Sequence, residues 1–445
     1  MDEEKIVYRI DELPNPDDKK KIIECLKLDH RYVGDKEKED YGPLFSEFIK
    51  TDGMFYQFNM FVKGKTYGKY HEGDLVVALR GNGNCITIYH NNHVVWELSL
   101  KTARNGKTTY VVSFNYDHAR YYYGDNENCL APLRRLLADN WFKRASREKG
   151  EKFKIEMEDN IPRNASIGLL RWERCKEDGP FPEDKVKESY NIIMGIMDTY
   201  FDIRYQKDQF RKKAGIVNEA KEAVTNRPSY IEKRWQQRLF NNFKSISGEK
   251  ETDLFAYDLE FSQKFPDSSI RSKIGVNEPD LLAIRFENGK PQKLFFVEVK
   301  STFSACTSNT SGAEAHMKGM KRYTDEERFI SKRVDDAWEI LKQYKKIGVY
   351  KVLDELDFDE LRKSCDLSKN VERVLLFTNN ALPPKETQKG EEEKKSALDY
   401  YEHEVYKARV NEKAKKEMYN CRIWITTNNY FDDREIEIEE VYKPE

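Results

Sequence analysis

The stretch "PDLLAIRFENGKPQKLFFVEVKST", residues 279–302, holds two apolar runs around the pair Asn288-Gly289. Asn-Gly between runs rich in β-branched and aromatic residues is a strong hairpin signal. The second run is apolar enough to be a buried strand, yet it carries Glu298 and Lys300, two residues apart and therefore on one face. An unmatched charge in such a place costs several kcal/mol or shifts its pKa.

The turn decides what else reaches that face. With a two-residue loop, Asn288-Gly289, Asp280 lies opposite Val297 and points away from Glu298 and Lys300, because side chains alternate with period two. With a three-residue loop, Glu287-Asn288-Gly289, and Gly289 left-handed as a bulge, Phe286 pairs with Lys290 and the parity changes. Asp280, Glu298 and Lys300 then share one side, and this is the expected register. Pro279 fits the first residue of a strand, where no N–H is needed. Two carboxylates diagonal across neighbouring strands can close on one hard cation, which offsets their burial. Magnesium suits such a pair, since it takes oxygen ligands and is usually held by one or two carboxylates. Lys300 can orient the metal-bound water, neutralise developing charge, or act as a base if desolvation lowers its pKa.

Pro279-Asp280, followed eighteen residues after the Asp by Glu298-Val299-Lys300 on a hairpin, resembles the signature of the PD-(D/E)xK nuclease superfamily, which includes restriction endonucleases. The resemblance covers roughly residues 230–430. It implies a restriction-endonuclease-like mixed sheet flanked by helices, with Asp280 and Glu298 as metal ligands, the Val299 carbonyl as a further one, and Lys300 as a catalytic residue. It also implies Mg2+ as cofactor, with Mn2+ able to substitute, and hydrolysis of nucleic-acid phosphodiesters, DNA before RNA. Many members add a Glu from the helix before the first core strand. Glu232 in "SYIEKRWQQRLF" and Glu260 on the first strand are the two alternatives.

Around this hairpin, 445 residues have room for about two or three domains. A β-rich N-terminal domain is expected over 1–126, where "DLVVALRGNGNCITIYHNNHVVWELSL" reads as three strands joined by Gly/Asn turns and "TTYVVSFNY" and "ARYYYG" follow. A mainly helical region follows over 127–225, and the nuclease-like domain over 226–445, entered through "NRPS" with Ser229 as N-cap. Within that last domain, strands alternate with a helix over about 325–346 and a charged helix over about 392–418, which makes the whole chain a multidomain α+β or α/β protein. The helix over 325–346 should pack through Phe329, Val334, Trp338 and Leu341, leaving Arg328, Lys332 or Gln343 for a nucleic-acid backbone.

The 77 Lys+Arg against 79 Asp+Glu leave no global basic field, so a polyanion site must be local. Arg204, Lys207, Arg211, Lys212 and Lys213, interleaved with Tyr205 and Phe210, form one candidate nucleic-acid surface. The basic stretch 143–154 is a second, and Ser301 and Thr302, opening the hydroxyl-rich run after Lys300, are a third. Seven scattered cysteines without a CxxC pair argue against a disulfide framework or zinc knuckle and point to a reducing cytoplasm. No signal-like or membrane-length apolar run occurs. "GKT" at 64–66 and 106–108 lacks the upstream glycine of a phosphate-cradling loop. "HMK" at 316–318 lacks the Asp a phospholipase-type site needs, and His90 and His93, flanking a turn, read as surface histidines.

The expected activity is a conditional, magnesium-dependent endonuclease of bacterial antiviral defence, whose front half senses a substrate end, a regulatory partner or a homo-oligomeric state. Its rivals are a repair, recombination or transposition nuclease and a non-cleaving scaffold with the same fold.

Overall fold

The computed structural model describes residues 7–34, 41–62, 75–80, 85–90, 93–102, 108–116, 127–140, 166–174, 182–214, 228–308, 312–379, 397–406, 420–427 and 436–444. The chain divides into two compact units. A terminal unit gathers Met1–His30, Arg227–Lys345 and Tyr350–Glu445; an inserted unit comprises Arg31–Asn226 with Lys346–Val349. Three successive regions were expected from the sequence. Instead the first thirty residues group with the C-terminal part, and residues 127–225 group with the N-terminal sheet.

Helix α1 (Pro16–Leu28) belongs to the terminal unit and starts where its sequence says it should: Pro16 sits in the first turn and the Asn15 side chain accepts from Asp17 N–H at 3.0 Å. At its far end Asp29, 1 % exposed, accepts from Gln263 Nε2 at 2.5 Å. Lys273 pairs with Asp18 at 2.7 Å. These contacts make α1 and Asp29 part of the C-terminal core.

The inserted unit carries α2 (Gly42–Ile49), α3 (Tyr56–Val62) and a five-stranded antiparallel sheet. Its strands run in sequence order: β1 (Leu75–Arg80), β2 (Cys85–His90), β3 (His93–Thr102), β4 (Thr108–Asn115) and β5 (Ser166–Arg174). The first four answer to the expected strands; "ARYYYG" lies outside the described residues. β5 falls in the region expected to be helical, and its pairing with β4 along the whole strand draws that region into the sheet. Between them runs α4 (Glu127–Asn140); after β5 comes α5 (Glu183–Ala214). Helix α5 meets the sheet through polar contacts set among aromatic rings: Trp96 Nε1 donates to Met197 Sδ at 2.8 Å, and Tyr200 Oη lies 2.6 Å from His90 Nδ1. His90 is thus fully buried, not the surface histidine expected, because Tyr200 gives its ring a polar partner inside the core.

In the terminal unit α6 (Pro228–Asn242) begins one residue before Ser229, which lies inside the helix and is not its N-cap. Proline's fixed φ suits a first helical position, so Pro228 opens the helix. Then follow β6 (Phe255–Leu259), α7 (Ser268–Ile274), β7 (Leu281–Glu287), β8 (Lys290–Lys300), α8 (Phe303–Thr307), α9 (Ala313–Thr324) and α10 (Glu327–Ile347). Beyond them come α11 (Phe358–Ser364), β9 (Val371–Phe377), α12 (Ala397–Tyr400), β10 (Arg422–Thr426) and β11 (Ile438–Tyr442). Of the charged helix expected over 392–418, the described part is α12 and a π-helical turn, Tyr401–Tyr406.

The six strands form one mixed sheet in the order β11-β10-β9-β8-β7-β6, with β8, β9 and β10 parallel and the other pairs antiparallel. β8 is an inner strand, buried from Leu294 onward. Helices cover both faces. On one, Phe296 meets Tyr323 of α9 at 5.8 Å. On the other, Phe295 meets Trp424 at 5.9 Å, and Trp424 meets Phe243, just after α6, at 6.2 Å. Phe329, Trp338 and Leu341 of α10 are buried as expected, but Arg333 is buried where Val334 was expected, its guanidinium 4.5 Å from the Phe261 ring centroid and 3.0 Å from Asp336. Gln343 is also buried, which removes it from any backbone-binding surface, and Arg328 is engaged with Asp11 and Glu326 at 2.8 Å each. Among the described residues the five cysteines are free, and no helix is long and apolar enough to cross a membrane.

Candidate active site

The hairpin turn is the two-residue one. Glu287 pairs with Lys290, and Asn288 (φ 51°) and Gly289 (φ 73°) both adopt the left-handed conformation. That is the turn whose twist matches the flanking strands. The expected three-residue loop is absent, yet the parity it was to supply is present for another reason. Phe286 pairs with Pro291, but Arg285 pairs with Lys293, so Gln292 is an extra residue in β8. Pro291 has no N–H for the ladder, and a bulge beside it accommodates that loss. From Lys293 onward the pairing runs regularly to Leu281 opposite Val297, which sets Asp280 across from Glu298 directly rather than diagonally.

Backbone contacts then hold the acidic residues. Val299 N–H donates to Asp280 Oδ2 at 2.7 Å, and Glu260 N–H donates to the Asp280 carbonyl at 2.8 Å. Thr378 N–H donates to the Lys300 carbonyl at 3.0 Å. Since residues of an extended strand direct their N–H and C=O alternately to either side, the Val299 carbonyl lies on the Asp280 side of β8.

Glu298 and Lys300 are each 1 % exposed. Lys300 Nζ donates to Glu298 Oε1 at 2.8 Å, and His316 Nδ1 hydrogen-bonds the same oxygen. Burial pushes the Glu298 carboxyl up, but the Lys300 charge and His316 outweigh it and hold the group below its usual range. An ionised carboxylate only accepts, so His316 carries its proton on Nδ1. Asp280 is pushed well above the carboxylate range by burial and by the charges of Glu298 and Glu232. Glu232, brought in by α6, is likewise raised by burial and by Glu298; Ser301 N–H donates to it, and its Oε2 is buried without a partner.

Lys300 also departs from expectation. Burial alone lowers an ammonium's pKa, but Glu298, Glu232 and Asp280 around it win and raise it. As it stands Lys300 is a fixed cation, not a base. Of the two candidates for the extra carboxylate, Glu232 joins Asp280, Glu298 and Lys300, whereas the Glu260 side chain turns to Lys233 at 3.3 Å. Ser301 is fully buried, which removes its hydroxyl from a phosphate-binding surface; Thr302, half-buried, caps α8, its hydroxyl accepting from Ala305 N–H at 3.2 Å. Arg204, Lys207, Arg211, Lys212 and Lys213 fall at the end of α5, where the side chains lie outside the described residues, as does the stretch 143–154.

Sequence reasoning missed Glu278 and set His316 aside together with the HMK motif at 316–318. His316 sits on α9, one residue before Met317 in the buried stripe Ala313, Met317, Met320 and Tyr323. A histidine bordering such a stripe, soon after the strand that carries Glu298 and Lys300, is the signal that was there to find. Glu278, two residues before Asp280, pairs with Arg271 at 2.5 Å while its Oε1 is buried and unpartnered.

Among the described residues no three His, Cys, Asp or Glu side chains already stand as a metal-binding group. Glu298 and Asp280 nonetheless fit a hard cation. Three carboxyl groups crowd one ammonium, two of them pushed toward protonation, and Glu232 keeps an orphaned oxygen. An all-oxygen donor set suits Mg2+ or Mn2+. No protein-family model matches this chain, and no curated protein or solved structure does either.

Proposed function

We propose that the chain is a metal-dependent nuclease that hydrolyses phosphodiester bonds of DNA. The observation that carries this reading is the convergence of Asp280, Glu298, Lys300 and Glu232 at the end of an inner strand, with more carboxyl groups than one ammonium can keep ionised. Asp280, Glu298, the Val299 carbonyl and Glu232 would hold Mg2+ or Mn2+. Bound there, such an ion supplies an activated water and neutralises charge at the phosphate. The chain's own residues do the rest. Lys300, kept positive by its neighbours, stabilises the charge that grows on the phosphate oxygens. Val299 N–H fixes one oxygen of Asp280, leaving the other for binding. Asp280, Glu298 and Lys300 on this mixed, helix-flanked sheet also match what the PD-(D/E)xK resemblance implies.

The inserted unit and the near-zero net charge support conditional cutting, in the manner of a defence nuclease whose catalytic unit answers to a sensor. The test is a cleavage assay with Mg2+ on supercoiled, linear and single-stranded DNA and on RNA, comparing the natural chain with Lys300→Ala and Asp280→Ala. Metal-dependent cutting lost in both variants is expected. Activity restricted to ends or branched substrates would favour a repair enzyme, and no cutting of any substrate would leave a binding scaffold.

A further inference from the structure

Both hydrogen bonds described for the Glu298 carboxylate fall on Oε1, one from Lys300 and one from His316. Lys300 comes from the same strand two residues on. His316 comes from α9, and that helix is clamped from two sides. Its inner stripe packs on the sheet, where Tyr323 meets Phe296, stacks on Phe329 at 4.6 Å and 11°, and donates to Gln263 at 3.1 Å. Its other contact is the segment leading to Asp280. Asn277 Nδ2 donates to the Ala315 carbonyl at 3.3 Å, and Gly319 lies so close that a Cβ there would come within 2.8 Å of the Asn277 backbone N. The helix therefore bears on residues just ahead of both acidic groups: Asn277 before Asp280, Phe296 before Glu298.

We infer that His316 is a positioning residue of the metal site: held rigidly by α9, it fixes Glu298 through Oε1 and leaves Oε2 as the oxygen that ligates. This rests on the metal-dependent reading above and deepens it, since it makes cation affinity depend on a residue outside the Pro-Asp and Glu-x-Lys motif. A carboxylate free to rotate must be ordered each time it binds, whereas one already tethered is preorganised.

The test measures Mn2+ binding to the full chain directly, by calorimetry and by electron paramagnetic resonance of the free ion, with no nucleic acid present. Asp280→Ala serves as the control without a site. His316→Ala should bind Mn2+ roughly 10- to 100-fold more weakly, the usual effect of removing such a partner. His316→Asn, whose amide reaches the place of Nδ1, should recover most of that loss, while both variants melt near the natural chain. A role confined to packing α9 would lower the melting temperature without separating Asn from Ala. Unchanged Mn2+ affinity in His316→Ala, or an Asn variant no better than Ala, overturns the inference. A chain that shows His316-dependent Mn2+ binding but cuts nothing would sink the nuclease reading alone. A natural chain that binds no Mn2+ would sink both.

Discussion

Asp280→Asn should make the metal-free protein more stable while abolishing the proposed cleavage. The residue stands across an antiparallel pair from Glu298, where side-chain roots are about 4.5–5.5 Å apart. Two unit charges roughly 6 Å apart at an effective dielectric constant of about 20 repel by about 3 kcal/mol. Asp280 escapes part of this by keeping its proton, so about 1–3 kcal/mol is left for the substitution to relieve. Asparagine preserves the hydrogen bond from Val299 N–H and places donors, not charge, beside Glu298 and Glu232. The direction with pH follows from the raised pKa. The favourable effect of the protonated acid is complete below the unfolded carboxyl range and is lost as pH rises through the folded-state value; asparagine has nothing to lose. In chelator, the melting temperature of the variant should therefore draw ahead of the natural chain as pH increases, by roughly 2–10 °C for a unit of this size. Saturating Mg2+ should reverse the order, because only the natural chain gains binding energy, about 2.7 kcal/mol at a hundred times Kd. Thermal melts at pH 5, 7 and 9, with and without Mg2+, decide it. An asparagine variant less stable than the natural chain at high pH in chelator would refute the crowded-carboxylate account.

Lys300→Ala should cost about 3 kcal/mol in urea unfolding besides losing cleavage, since it strips a buried carboxylate of its cation; unchanged stability would mean the pair is not buried in solution. Gly289→Ala should lose about 1 kcal/mol from strain alone, because Leu356 Cδ2 at 3.6 Å leaves room for the methyl group while φ of 73° does not suit it; calorimetry showing no loss would place another conformation at the turn. Asp29→Ala should destabilise the terminal unit by about 1–3 kcal/mol, leaving Gln263 Nε2 without its carboxylate. A chain begun at residue 31 that melts like the full protein would contradict the place of α1 in that core.

The hairpin, the Asn-Gly pair at its tip and the charged end of β8 were legible because they depend on local chemistry: Asn-Gly prefers left-handed backbone, and alternation assigns faces; the length of the turn was not, since the parity assigned to a third loop residue comes from the bulge instead. The position of the bulge was not, since Gln292 has no mark of its own and only the neighbouring proline hints at it. His316 escaped for a different reason. Its partner is eighteen residues away on another element, and nothing in a helix sequence says which strand end it will approach. The same holds for Asp29, whose burial depends on Gln263 more than two hundred residues later. β5 was lost to a regional impression of helicity that a single strand pairing with β4 overrides. For His90, polarity outweighed the buried hydroxyl that tertiary structure supplied.

Gln292 has a bearing on how this chain tolerates change. What the shared face of Asp280, Glu298 and Lys300 needs from that position is that it be occupied. A substitution there leaves the count intact, whereas removing the residue, or adding one between Lys290 and Lys293, turns Glu298 and Lys300 to the opposite side of the sheet from Asp280. The meeting of these three side chains thus hangs on an odd or even number of links in a short segment at the far end of the strand, and length variation is a graver hazard to it than any replacement at that site.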